Sequence, residues 1–376
     1  MPGPRARFRI VDADGHVMEP AGMWARYIAA EYRDRAPRLV RGPDGHTDIV
    51  VDGRTVPRRE GGNRVSPAMR AAFGRRVREH MAEYAAEGYS AAAQLRAMDR
   101  GGVEVAFLYP TQGLYTAAID DLEPGLALAI CAAYNDWILD FCAADPERLR
   151  PVAMLVALHD PAGAVAEAGR AAERGMRGIF VRPNPVHGRR LDDPAYEPLW
   201  ALCARRGLVV GVHEGQGALL PAAGAERFTS FFASHAASHP FEQMLALAAL
   251  VGGGVLERHP GLRVAFLEAG CGWLPYWLWR LDEHWEKTRG VAGEPELPAP
   301  PSAYFRRQCW ISCEPDEPYL PELVDRIGED RLLFASDFPH PDHGWPETVE
   351  RALALPVPDR VKRKLLWDNP AALYGL

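Results

Sequence analysis

The sequence predicts an α/β fold of the (β/α)8, or TIM, barrel class with a small hairpin inserted after the first strand. Three observations carry this expectation. Short apolar runs alternate with alanine-rich amphipathic stretches, the runs number eight, and glycine stands where helix gives way to strand. The runs fall at residues 9–12, 103–109, 151–158, 178–181, 208–212, 263–267, 309–312 and 332–335. Residues 162–174 and 197–206 are amphipathic patterns between two pairs of them. Arg100-Gly101-Gly102, Arg174-Gly175 and Arg206-Gly207 mark helix ends, where a left-handed glycine closes the last turn. Regular alternation implies parallel strands, and eight such units favour a closed barrel over an open sheet.

The insertion spans 39–62: turns at Gly42-Pro43-Asp44-Gly45 and Asp52-Gly53 flank an apolar run at 48–51. Insertions at that end of a barrel often form lids over the active site. Residues 290–302 are rich in proline and glutamate and read as a surface excursion or a subunit contact. With no internal repeat and no low-complexity tract, 1–376 is expected to form one domain.

Composition narrows the partners. The formal charge of −7 is spread over 43 basic and 50 acidic residues without long runs of one sign, which leaves no footprint for nucleic acid. A small-molecule substrate is the expected ligand. The six cysteines are scattered and form no CxxC pair, so they read as free thiols of a reducing compartment. The first seven residues lack the apolar stretch of a secretion signal, and the apolar run 244–256 is too short for a bilayer that needs ~20 residues. The expectation is a cytoplasmic protein with no membrane contact.

Chemistry concentrates at strand ends. In Asp12-Ala13-Asp14-Gly15-His16 a strand runs into alternating carboxylate and imidazole groups. Residues two apart on a strand share a face, so Asp12, Asp14 and His16 could all point to the barrel axis and offer oxygen and nitrogen to a divalent cation. Alternatively, the aspartates cap a turn. A second apolar run ends on His213 and another on Asp337. Polar groups at the C-terminal ends of barrel strands converge on one mouth, so Asp14, His16, His213 and Asp337 are the candidate metal ligands. A metal-free binding protein on a decayed barrel would have no use for polar groups at the ends of strands one, five, six and eight.

These motifs, together with Phe266-Leu267-Glu268-Ala269-Gly270, Ser336-Asp337-Phe338-Pro339 and the closing Asn369-Pro370-Ala371-Ala372-Leu373-Tyr374-Gly375, make the chain resemble the amidohydrolase superfamily. The resemblance covers nearly the whole chain and is strongest to the amidohydrolase-2 branch, which includes aminocarboxymuconate semialdehyde decarboxylase. It implies His16 and His213 as ligands and Asp337 as a ligand that also handles a proton. The chain departs from the family pattern twice. Asp14 stands at the first position of the usual histidine-any-histidine motif, which makes the ligand set more anionic. Glu268 stands where many relatives carry a catalytic histidine; there it could act as base, acid or further ligand. The run at 178–181 is followed by Arg182 and offers no lysine, which implies one metal ion rather than a bridged pair. The expected cofactor is one divalent ion, Zn²⁺ or Mn²⁺ first and Fe²⁺ after them. The expected reaction is non-oxidative decarboxylation of a small cyclic or unsaturated acid; the alternative is hydrolysis or hydration by metal-bound water.

Further candidates surround this set. Arg182 could clamp a substrate carboxylate or pair with a loop carboxylate, and Tyr109 at the end of the second run is a candidate substrate contact. His340, with Asp342 and His343, follows Asp337 in a loop suited to proton transfer. His235 and His239 have HxxxH spacing, but Pro240 fits a first helical position, so a helix start is expected near His239, which is kept as an acid/base candidate. Trp273, Tyr276, Trp277 and Leu281 have helical spacing and read as a stripe packed on the barrel or on the second subunit of a homodimer. His259 reads as a turn residue, and Cys271 lacks an activating base.

Overall fold

The computed structural model describes residues 7–41, 47–56, 67–116, 119–214, 222–224, 227–293, 296–315, 317–340 and 344–376. Eight parallel strand positions make up the barrel wall: β1 Val11–His16, β2 Val105–Tyr109, β3 in two pieces (Leu149–Pro151 and Ala153–Met154), β4 Gly178–Val181, β5 Val209–Val212, β6 Arg263–Phe266, β7 Cys309–Cys313 and β8 Leu332–Phe334. β1 pairs with β2 and β2 with the first piece of β3; the second piece begins the run β3-β4-β5-β6-β7-β8. Backbone hydrogen bonds bridge the two sheets. Val152 N–H donates to the Leu108 carbonyl at 3.2 Å, Asp337 N–H to the Asp14 carbonyl at 3.1 Å, and His16 N–H to the Phe338 carbonyl at 2.7 Å.

The strands are short and almost wholly apolar because helices cover their outer faces. Ser90 and Asp160 cap the helices Ala91–Gly101 and Pro161–Glu173, and Gly102 (φ 74°) and Gly207 (φ 66°) end their helices in the left-handed conformation. Among the described residues one helix, Pro124–Cys142, is long and apolar enough to cross a membrane. Here it lies on β3: its buried Asn135 accepts from Met154 N–H at 2.7 Å and donates to the Met154 carbonyl at 3.2 Å.

Five expectations change. β1 does not stop at Asp12 but continues to His16, so the whole acidic motif is strand. The third wall position ends at Met154, and 155–158 continue as buried non-strand chain. The insertion is a three-stranded antiparallel sheet, Arg38–Arg41, Thr47–Val51 and Arg54–Thr55, and its 42–45 turn lies outside the described residues. Finally, no helix starts at Pro240: the helix Phe231–Gly252 runs straight through it from an N-cap at Ser230, whose hydroxyl accepts from Ala233 N–H at 3.3 Å. Proline in a helix interior costs about 3 kcal/mol. Burial of Leu247, Leu250 and Val251 opposes that cost, as does the Gln243 amide, which donates to the carbonyls of Val212 (2.8 Å) and Leu267 (2.9 Å) and so pins the helix across the ends of β5 and β6. The aromatic stripe also divides: Trp273 and Trp277 pack on the core, while Tyr276 is 57% exposed.

Candidate metal centre

The register of β1 against β2 shifts between Asp12 and Gly15, so three steps along β1 match two along β2. That bulge breaks strict alternation and separates Asp12 from Asp14 and His16. The Asp12 carboxylate accepts from Ser336 N–H (3.0 Å), from the Ser336 hydroxyl and from Asp14 N–H (3.3 Å), and so stitches β1 to the chain beyond β8. Burial pushes its pKa up to about 6 against the pull of the Ser336 bonds. Gly15 is required beside it, since a Cβ there would lie 2.9 Å from Asp12 Oδ2.

Asp14 and His16 from β1, His213 at the end of β5 and Asp337 beyond β8 converge. His16 Nε2 and His213 Nε2 are 3.3 Å apart. Asp14 Oδ1 lies 3.6 Å from the first and 3.5 Å from the second, and Asp337 Oδ1 lies 3.1 Å from His16 Nε2. Glu268, just beyond β6, brings Oε2 within 3.2 Å of His213 Nε2. His340 places Nδ1 2.7 Å from Asp337 Oδ1 and its ring 4.2 Å from that of His16.

The tautomers follow from the partners. His16 Nδ1 lies 2.8 Å from the Pro110 carbonyl and His213 Nδ1 lies 2.6 Å from the Glu214 carbonyl. A carbonyl can only accept, so each Nδ1 carries the proton and each Nε2 presents a lone pair. Burial, followed by the neighbouring imidazole charges, holds both pKa values below the usual 6.5, His213 well below, and so keeps both rings neutral. Two lone pairs facing each other among carboxylates repel unless a cation lies between them. Ligands bonded at 2.0–2.1 Å to one ion stand about 3.0–3.4 Å from their neighbours, close to the separations here. The donor set therefore fits one divalent ion.

Glu268 and Asp337 both have φ of 54°, the left-handed region that a side chain enters at a cost of about 1–2 kcal/mol. Both turn out of their strands at the mouth, where a cavity of about 130 Å³ opens. Asp14, Glu268, Glu314 and Asp337 line it with Ser312, Cys313, Thr348 and Arg351. No described residue of the inserted sheet is among its lining. That sheet is tied through Arg35 and Arg54 to Asp52, Glu123 and Asp121.

Other sequence candidates lie elsewhere. His239 is in mid-helix, its ring 4.6 Å from that of His235, and belongs to neither of the described His/carboxylate clusters. Arg182 is 1% exposed; it donates to the Leu114 carbonyl (3.3 Å) and Asn184 Oδ1 (3.4 Å), and burial pulls its pKa down to about 10 against the charges of Glu214 and Glu242. It is not among the described residues that line the cavity. Tyr109 is wholly buried beneath the centre, not in the cavity: its ring lies against His213 at 5.6 Å and its hydroxyl is 2.9 Å from that of Tyr374. Gly211 of β5 makes room for that tyrosine, since a Cβ there would lie 2.6 Å from its Oη. Asp342 and His343 lie outside the described residues. The Cys271 thiol is buried and its pKa is pushed up by its bond with Cys313 and by burial, so it is no nucleophile. His259 pairs with Glu197 at 2.7 Å.

The sequence reading missed Arg351 and Glu314. Arg351 sits on the helix Glu347–Ala354, where nothing in the local pattern distinguishes it from a solvated arginine. Glu314 directly follows β7 and carries the same strand-end signal that singled out Glu268.

Comparison with known proteins agrees with this geometry. A family model described as amidohydrolase matches residues 11–376. The chain is 28% identical over 263 residues to 2-amino-3-carboxymuconate-6-semialdehyde decarboxylase of Dictyostelium discoideum, covering 68% of each chain. It is 27% identical over 309 residues to gamma-resorcylate decarboxylase of Rhodococcus jostii, covering 75% of this chain and 87% of that one. The fold is shared with 5-carboxyvanillate decarboxylase of Novosphingobium aromaticivorans, solved with manganese and 4-hydroxy-3-methoxy-5-nitrobenzoic acid; the TM-score is 0.68 at 18% identity, over 100% of this chain and 98% of that one. The strand-end motifs, the barrel and the match over residues 11–376 agree: the chain belongs to the amidohydrolase family.

Proposed function

We propose that the protein is a manganese-dependent, non-oxidative decarboxylase of a small aromatic or unsaturated cyclic carboxylic acid, with 1–376 acting as one domain. The observation that carries the reading is the pair of Nε2 lone pairs 3.3 Å apart among carboxylates, with Glu268 3.2 Å from His213 at the edge of the cavity. The decarboxylase names of the relatives support the reaction, and the carboxylate-rich donor set supports a hard ion. Asp14, His16, His213 and Asp337 would hold the ion, which supplies Lewis acidity toward substrate oxygen.

The chain's own groups do the rest. Arg351 offers a planar cation to the carboxylate or a ring oxygen of the substrate. Glu268, as the carboxylic acid, gives its proton to the carbon that bears the carboxylate. The carbon–carboxyl bond then breaks, its electron pair returns to the ring, CO2 leaves, and Glu268 regains a proton from solvent. Nothing is oxidised.

The test is incubation of the manganese-loaded enzyme in D2O with 2,6-dihydroxybenzoate, 6-methylsalicylate and 5-carboxyvanillate, alongside a panel of lactones. Release of CO2 with one deuterium at the vacated carbon, lost in Glu268→Gln, is the expected result. Ring opening of a lactone without CO2 release from any acid would replace decarboxylation with hydrolysis, Glu268 then removing a proton from water.

A further inference from the structure

Beyond the metal centre itself, one short loop bears on two of its imidazoles. Pro110, Thr111, Gln112 and Gly113 follow β2 directly. The Pro110 carbonyl takes the Nδ1 proton of His16 at 2.8 Å, and the Thr111 hydroxyl stands 3.0 Å from His340 Nε2. The other nitrogen of that ring, Nδ1, lies 2.7 Å from Asp337 Oδ1. A carboxylate accepts, so Nδ1 carries the proton, and in the neutral ring Nε2 is left to accept from the Thr111 hydroxyl. Asp337 sets that tautomer, and the Thr111 hydroxyl holds the ring in the plane in which Nδ1 reaches the carboxylate.

The loop is itself clamped. Glu19, 2% exposed, accepts backbone N–H bonds from Thr111 (3.3 Å) and Gln112 (2.9 Å) on Oε2 and from Gly113 (2.9 Å) on Oε1. The Gln112 amide returns a bond to the Glu19 carbonyl at 2.8 Å. Space is as tight as the bonding: a Cβ on Gly113 would lie 2.5 Å from Met154 Sδ and 2.7 Å from Pro110 Cβ. Three N–H groups converging on one buried carboxylate give a rigid loop, because any rotation leaves a donor or the charge without its partner.

We propose that Glu19 and Thr111 are positioning residues for the metal centre: the Glu19 carboxylate locks the loop after β2, and the loop fixes the ring planes of His16 and His340 through Pro110 and Thr111. Neither residue faces the ion. They act through the imidazoles, one of which is a ligand and the other a partner of the ligand Asp337. The inference rests on the metal reading above for its consequence, but the bond between Thr111 and His340 is itself a property of the metal-free chain.

The experiment uses the full-length protein stripped with a chelator, in wild-type, Thr111→Ser, Thr111→Val and Glu19→Gln forms. Mn²⁺ is titrated and the free ion is followed by its paramagnetic resonance; histidine ring nitrogens are read by ¹⁵N NMR before metal is added, with His340→Gln locating the His340 signals. Loss of an orienting partner typically weakens metal binding by about 10–100-fold. Thr111→Val is expected near the lower end, with the His340 Nε2 signal shifting as its hydrogen bond is lost. Thr111→Ser keeps the hydroxyl and is expected to match wild type in both readouts. Glu19→Gln turns an NH2 group toward backbone donors and is expected to weaken Mn²⁺ binding while still unfolding cooperatively. Wild-type Mn²⁺ affinity and an unchanged His340 Nε2 signal in Thr111→Val would overturn the proposal, as would a Thr111→Ser protein as impaired as Thr111→Val. If the wild-type chain bound no Mn²⁺, the metal reading would fail, and the NMR comparison would still decide the role of Thr111.

Discussion

Gly211 offers a direct test of what Tyr109 does. A Cβ added at Gly211 would lie 2.6 Å from Tyr109 Oη, 3.0 Å from Cε1 and 3.2 Å from Cζ. The tyrosine cannot swing aside freely, since it is fully buried, bonded to Tyr374 and packed on His213 at an interplanar angle of 22°. Restoring an ordinary contact of about 3.5 Å requires a shift of roughly 1 Å. Overpacking of this kind costs about 1–3 kcal/mol, and loss of the Tyr109–Tyr374 bond adds about 1 kcal/mol, so Gly211→Ala is expected to destabilise by about 2–4 kcal/mol. Urea unfolding with an unchanged slope measures it. Because His213 rests on the displaced ring, Mn²⁺ affinity should fall as well. Tyr109→Phe removes only the hydroxyl; it should cost about 1 kcal/mol and leave KM unchanged. Combining the two removes the closest clash, so the double variant should be more stable than the sum of the single effects predicts. A Gly211→Ala protein within about 0.5 kcal/mol of wild type would refute the packing argument. A Tyr109→Phe protein of normal stability but raised KM would return Tyr109 to the substrate.

Four further outcomes follow from the geometry. Asp14→His restores a two-histidine β1 and should keep metal binding while moving preference from Mn²⁺ toward Zn²⁺, as read by competition between the two ions. Glu268→Gly relieves a side chain held at φ 54° and should stabilise the fold by about 1 kcal/mol in chemical denaturation while abolishing deuterium transfer to product. Arg351→Gln should raise KM for carboxylic acids by roughly tenfold or more, the worth of one charge-assisted bond, with far less change in kcat. Glu197 is held below the ordinary carboxylate range by its bond to Arg258, then by His259. Its contribution is present above the unfolded pKa and lost as pH falls through the lower folded value. Glu197→Gln should therefore reduce stability by up to about 1 kcal/mol near pH 7 and leave it unchanged in strong acid.

The barrel was legible because its strands are buried on both faces and so read as unbroken apolar runs, and because Gly102 and Gly207 carry the left-handed turns that end helices. The strand-end residues Asp14, His16, His213, Asp337 and Glu268 were legible for a related reason: a polar group that ends an apolar strand needs a purpose. What failed was whatever depends on three-dimensional detail. The bulge after Asp12 breaks the two-residue period that groups Asp12 with the candidate ligands, and no local pattern announces it. Pro240 was read by local preference, whereas the helix through it is fixed by packing and by Gln243 across two strand ends. Tyr109 and Arg182 stand at strand ends as the candidate ligands do, yet one reaches down to Tyr374 and the other across to Leu114 and Asn184. Strand position gives the end of the barrel but not the direction of a long side chain.

The charges of the cavity connect the departures from the family pattern to the reaction. Asp14 and Asp337 together would balance a divalent ion held with two neutral imidazoles. Glu268 and Glu314 then leave the remaining lining anionic, with Arg351 as its cation among the described lining residues. A carboxylic acid substrate enters this space as an anion, and like charges at short range favour the protonated form of the neighbouring carboxyl. On the decarboxylase reading, substrate binding and proton uptake by Glu268 are therefore coupled, and the proton arrives with the molecule whose carbon will receive it. A histidine at position 268 would bring its proton as a cation and would need no such coupling. Glutamate there ties proton delivery to the negative charge of the substrate, so a neutral ester or amide of the same acid should bind without loading the proton that completes the reaction.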